Sequence, residues 1–97
     1  MTSFEIIIQK LRTLKPELIS RYYVRSIGLF GSVVRDDFSP TNSDIDIIVD
    51  FSRPVGIEFI DLAEFLEKSI DRKVDLVSLK GIKPKYFDQI RKDIIYV

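Results

Sequence analysis

The sequence predicts a small α/β (α+β) fold, a single domain over residues 1–97 with a short mixed sheet flanked by helices. Three observations carry that expectation. At 97 residues the chain is long enough for one core and too short for two. Stretches of helical periodicity alternate with short apolar runs that suit buried strands. Clusters of Gly, Pro, Asn and Ser separate them as turns, and no repeat or linker interrupts the order.

Thr2 and Glu5 have the spacing of a capping box, and Phe4, Ile7, Ile8, Leu11 and Leu14 then recur at helical intervals. Pro16 suits the first turn of a second short helix, "PELISRYY". "VRSIGLF" reads as a buried strand running into Gly31, where Gly31-Ser32 makes a sharp turn. "SVVRDD" is expected to form a short helix and "FSPTNS" a loop. "DIDIIVDF" is a second strand, with Ile45, Ile47, Val49 and Phe51 on one face and Asp44, Asp46 and Ile48 on the other. An amphipathic helix follows from about Ile57 to Ser69, with Ile57, Ile60, Leu62, Phe65 and Leu66 along its buried stripe. "RKVDLVSL" is a third strand, and it carries Asp75 among apolar neighbours. Gly81 and Pro84 open a final helix whose Phe87, Ile90 and Ile94 face the core. The expected order is therefore ααβαβαβα.

Composition narrows the chemistry. The chain is 45% hydrophobic and 31% charged, as an ordinary globular domain is. It has no cysteine, which excludes disulfides and thiolate metal sites, and no histidine, which excludes imidazole acid–base chemistry and the common zinc sites. Catalysis would have to run on carboxylates, lysines, hydroxyls and a hard cation such as Mg²⁺. The formal net charge of zero and the dispersed basic residues argue against strong direct nucleic-acid binding. No stretch approaches the roughly 18–20 apolar residues of a membrane span, and the N-terminus lacks a signal-peptide core, so a cytoplasmic location without membrane association is expected.

Against that background the aspartates stand out. Asp44 and Asp46 lie two apart on one strand, so they share a face with Cα atoms roughly 6–7 Å apart. Two carboxylates at that spacing can converge on one Mg²⁺ or bridge a pair. A chain of this composition yields about one such D-x-D by chance, so the pair alone also fits a solvated strand face. Asp75 changes the weighting. A carboxylate between Val74 and Leu76 is costly to bury without a partner. It either faces water, pairs with Arg72 or Lys73, or presents a third carboxylate to the same cleft. Gly31 lets backbone approach a ligand closely, and Ser32 with the following amides can hold phosphate oxygens, although Ser32 would serve equally as an ordinary helix cap. Arg35, one turn on, could meet a phosphate or pair with Asp36 or Asp37.

Taken in order, "LFGS", "SDIDIIVDF" and "KVDLV" resemble the minimal nucleotidyltransferase (MNT) family of the DNA polymerase beta-like nucleotidyltransferase superfamily. The resemblance implies a nucleotidyltransferase fold. It implies that Gly31, Ser32 and Arg35 bind the nucleotide triphosphate. By the same resemblance Asp44, Asp46 and Asp75 are catalytic and ligate Mg²⁺ as a two-ion site, Asp75 also serving as base. The family's Arg-Gly pair after the turn stands here as Arg35-Asp36. Small members of this kind are antitoxins of HEPN/MNT toxin–antitoxin pairs. That implies AMP transfer from ATP to a tyrosine hydroxyl of a HEPN ribonuclease toxin, its partner. The competing expectation is a catalytically silent MNT-fold module that neutralises its partner by binding alone.

Overall fold

The computed structural model describes residues 2–35 and 44–97. Helix α1 (Ser3–Tyr22) starts at the expected capping box. The Glu5 amide donates to Thr2 Oγ1 at 3.1 Å, and the Thr2 amide donates back to Glu5 Oε1 at 3.3 Å. The helix then runs unbroken through Pro16, so the two helices expected on either side of that residue are one. Packing explains this. Leu11 and Leu18, two turns apart across Pro16, are fully buried on one stripe, and Tyr22 continues it. Burying two leucines contributes about 1.5–3 kcal/mol each, which outweighs the roughly 3 kcal/mol that proline costs inside a helix.

Strand β1 (Val24–Phe30) leads into a 3₁₀ turn (Gly31–Val33), the described remnant of the helix expected over "SVVRDD". Asp36, Asp37 and the loop "FSPTNS" lie outside the described residues. Strand β2 (Ile45–Phe51), helix α2 (Ile57–Ile70) and strand β3 (Val74–Ser78) follow, then helix α3 (Pro84–Ile90), a second 3₁₀ turn (Arg91–Asp93) and strand β4 (Ile95–Tyr96). The sheet is mixed and four-stranded in the order β3-β2-β1-β4. β1 pairs antiparallel with both β2 and β4, while the helical crossover through α2 makes β2 and β3 parallel.

The edge strand β4 was not among the expected elements, because two residues carry no readable periodicity. Its seat is made by Gly28. A Cβ at that position would come within 2.9 Å of Ile94 Cγ2 and 3.1 Å of the Ile95 carbonyl oxygen. Only a residue without a side chain lets the C-terminal segment close onto β1 there. The Val97 amide adds a bond to the Ile27 carbonyl at 2.9 Å, and Lys15 Nζ reaches the Val97 carbonyl at 2.8 Å.

One face of the sheet packs on α1 and α2. Ile27, Leu29, Ile45, Ile47 and Val49 meet Leu11, Leu18, Leu62 and Leu66 in the core. The buried stripe of α2 is Leu62, Leu66 and Ile70. Ile57 and Ile60, expected on that stripe, are 66% and 56% exposed. At 100° per residue Ile57 falls opposite Leu66, so the stripe that the sheet selects leaves it outside. The last helix differs from expectation too. No residue of α3 is fully buried, Phe87 and Ile90 are half-buried, and Ile94 lies beyond the helix rather than on it.

β2 is an inner strand, and Ile48 and Asp50, which lie outside the main core cluster, are buried as well. Asp50 is paired through a bulge. The β1–β2 register shifts between Val24 and Ser26, which releases Arg25 from the core face. Its Nη1 then lies 3.5 Å from Asp50 Oδ2, while Asp50 Oδ1 has no hydrogen-bond partner among the described residues. None of the described helices is long and apolar enough to cross a membrane.

Candidate nucleotidyl-transfer site

The site is assembled where β1 ends, β2 begins and β3 begins. Phe30, the last residue of β1, pairs with Asp46 on β2, and Asp46 pairs on its other side with Asp75 on β3. Neighbouring strands lie roughly 4.8 Å apart, so the parallel register alone sets the Asp46 and Asp75 carboxyl groups side by side. Asp44 stands exposed at the start of β2, two residues before Asp46 on the same face.

Gly31 has a φ of +74°, a conformation that residues with a Cβ rarely adopt. The close approach is to Asp46. A Cβ on Gly31 would lie 2.1 Å from Asp46 Oδ2, inside any allowed contact. The glycine therefore shapes the turn and makes room for the carboxylate. Behind it, the Gly31 carbonyl accepts from the Val34 and Arg35 amides at 3.1 and 3.2 Å, and Val33 is buried in the core as an anchor. Ser32 is half-buried inside the turn, whose leading amides have no acceptor within a 3₁₀ geometry.

The electrostatics are uneven. Burial pushes the Asp46 carboxyl up to about 6, and the charges of Asp75 and Asp44 push the same way. A hydrogen bond shared with Asp75 also favours the protonated form, whereas the Arg35 guanidinium opposes the rise. Arg35 is exposed, and its Nη1 lies 3.9 Å from Asp93 Oδ2 in the C-terminal 3₁₀ turn. Asp93 escaped the sequence reading, since nothing local marks an acid so far along the chain as a neighbour of Arg35.

Gly31, Ser32, Asp46 and Asp75 are thus brought together; Arg35 is near enough for its charge to act on Asp46, and Asp44 stands exposed at the rim. The donor set is all oxygen, which suits Mg²⁺, and the crowding that raises Asp46 is what a cation would relieve. As placed, no three acidic side chains among the described residues are gathered closely enough to hold an ion. Cation binding would have to draw Asp44 in toward the Asp46–Asp75 pair.

A Gly-Ser turn beside strand aspartates, at one end of a short mixed sheet, defines an enzyme of the nucleotidyl-transfer class. Comparison with known proteins is specific: the nucleotidyltransferase domain family matches residues 11–97. The protein adenylyltransferase MntA of Thermococcus cleftensis is 39% identical, covering 100% of this chain and 98% of its own. A Methanocaldococcus jannaschii relative with a protein adenylyltransferase name is 41% identical over 101 residues, covering 100% of both chains. Among solved structures, a minimal nucleotidyltransferase superposes with a TM-score of 0.77 at 26% identity, covering 98% of this chain and 95% of that one. The MNT antitoxin in complex with a tri-AMPylated HEPN toxin from Shewanella oneidensis superposes at 0.61 with 28% identity, covering 97% and 67%. This chain belongs to the nucleotidyltransferase family, in its minimal form, and is a nucleotidyltransferase.

Proposed function

We propose that this enzyme transfers AMP from ATP to a hydroxyl group of a HEPN-type toxin, a tyrosine of that protein, and so acts as the antitoxin of the pair. The observation that carries the reading is the convergence of Gly31, Asp46 and Asp75 at one end of the sheet. The relatives support the donor and the acceptor. Several carry the name protein adenylyltransferase, and one solved neighbour is a toxin–antitoxin complex with AMP-PNP.

In this reading Gly31, Ser32 and Arg35 hold the triphosphate, with turn amides and a guanidinium facing phosphate oxygens. Asp44, Asp46 and Asp75 would hold Mg²⁺, as one ion or two, which supplies charge neutralisation at the transferring phosphate. The acceptor oxygen attacks the α-phosphorus in line, its bond to the β-bridging oxygen breaks, and pyrophosphate leaves with that electron pair. Asp75, exposed beside Asp46, takes the hydroxyl proton.

A second reading has one observation in its favour, namely that the three carboxylates are not gathered around a cation position. In that case the chain silences its partner by binding alone. Labelled ATP, Mg²⁺ and the partner toxin separate the two readings. Label should pass to the toxin with wild type and not with Asp44→Ala/Asp46→Ala. Equal neutralisation by both proteins, with no label transferred by either, would leave only the binding module.

A further inference from the structure

We propose that Asp93 is a positioning residue for nucleotide binding, holding the Arg35 guanidinium at the phosphate end of the site. The inference rests on the nucleotide-binding reading of Gly31, Ser32 and Arg35.

The argument begins with β4. Its register pairs Gly28 with Tyr96 and Leu29 with Ile95. Just before β4, the 3₁₀ turn Arg91–Asp93 brings Asp93 to the end of β1, on the side of that strand away from β2. The seating is tight because Gly28 admits Ile94, whose Cγ2 would otherwise meet a Cβ at 2.9 Å. Asp93 is therefore delivered to the turn by backbone pairing and packing, not by a free tail. Its carboxylate sits 3.9 Å from Arg35 Nη1, while the charge of Arg35 is felt at Asp46 on the other side.

The role of such a pair follows from its exposure. Both partners are about half exposed, and an ion pair of that kind contributes little to stability. What it can do is limit where a long side chain goes. Arginine recognises phosphate through a planar fork whose value depends on orientation, so a carboxylate on one side leaves the other prongs aimed at the ligand. The C-terminal 3₁₀ turn thus becomes part of the nucleotide site, although it lies outside every motif of the sequence.

The test is equilibrium binding of ATP with Mg²⁺ by calorimetry, with melting temperature as a check of folding. Asp93→Asn should weaken binding about 3- to 10-fold with little change in melting temperature, and Asp93→Glu should restore most of it. Arg35→Lys should weaken binding to a similar degree, because the charge stays and the fork is lost. In an Arg35→Ala background, Asp93→Asn should have no further effect. Unchanged or tighter binding by Asp93→Asn would overturn the proposal, as would wild-type affinity in Arg35→Lys. So would an undiminished effect of Asp93→Asn without Arg35. Wild type that binds no ATP would instead remove the nucleotide-binding reading, and this proposal with it.

Discussion

Replacing Asp46 by asparagine should make the protein more stable at neutral pH while abolishing transfer. The carboxyl sits at about 6 against an ordinary value of 3.8, chiefly because burial disfavours its charge and secondarily because Asp75 and Asp44 repel it. The sign follows from linkage. Well below pH 3.8 the group is protonated in both folded and unfolded chains and contributes no difference. Between 4 and 6 the unfolded chain ionises first, so folding stability falls as pH rises, and above 6 the full penalty is present. That displacement corresponds to ~3 kcal/mol between the two protonation states. Asp46 is only half-buried, and solvent screening cuts the figure to about 1–2 kcal/mol. For a domain of this size that is roughly 5–12 °C in melting temperature. The assay is thermal unfolding of wild type and Asp46→Asn in metal-free buffer at pH 4 and pH 7.5. The variant should melt higher at pH 7.5, and at pH 4 the gap should shrink to about a fifth of that. Saturating Mg²⁺ should raise wild type and leave the variant nearly unmoved. A variant no more stable than wild type at pH 7.5, or a gain as large at pH 4 as at pH 7.5, would refute the account of Asp46 as a strained acid.

Gly31→Ala should lose both stability and transfer: a positive φ and a Cβ 2.1 Å from Asp46 Oδ2 together cost about 1–3 kcal/mol, readable by chemical denaturation alongside label transfer. Thr2→Ala should remove the capping box and cost about 1 kcal/mol, lowering the melting temperature by several degrees while transfer at 25 °C is unaffected. Arg25→Ala should leave the Asp50 carboxylate buried without its cation, at a cost of about 1–3 kcal/mol in urea unfolding, and Arg25→Ala/Asp50→Asn should recover part of that loss.

Much of the fold is legible in the sequence. Local rules placed the capping box at Thr2 and Glu5, the strands ending at Phe30 and Phe51, and the turn at Gly31, because each depends on neighbours within a few residues. The misreadings have one cause. At Pro16, Ile57, Ile60 and the last helix, local periodicity or breaker strength points one way and the sheet decides another. It drew α1 straight through Pro16 to bury Leu18, chose the Leu62–Leu66–Ile70 stripe, and took Ile95 and Tyr96 as an edge strand.

The site divides the same way. Sequence alone determined which groups are available: an all-oxygen set of aspartates and a Gly-Ser turn, in a chain with no histidine or cysteine to offer another chemistry. It also determined that Asp44 and Asp46 share a face, since strand alternation is a local property of the backbone. Only the tertiary structure decided that Asp75 lies beside Asp46, that Gly31 leaves room for the Asp46 carboxylate, and that Asp93 reaches Arg35. Those are pairings between strands distant in sequence, set by register and by which faces the core buries, and no residue announces its partner across a sheet.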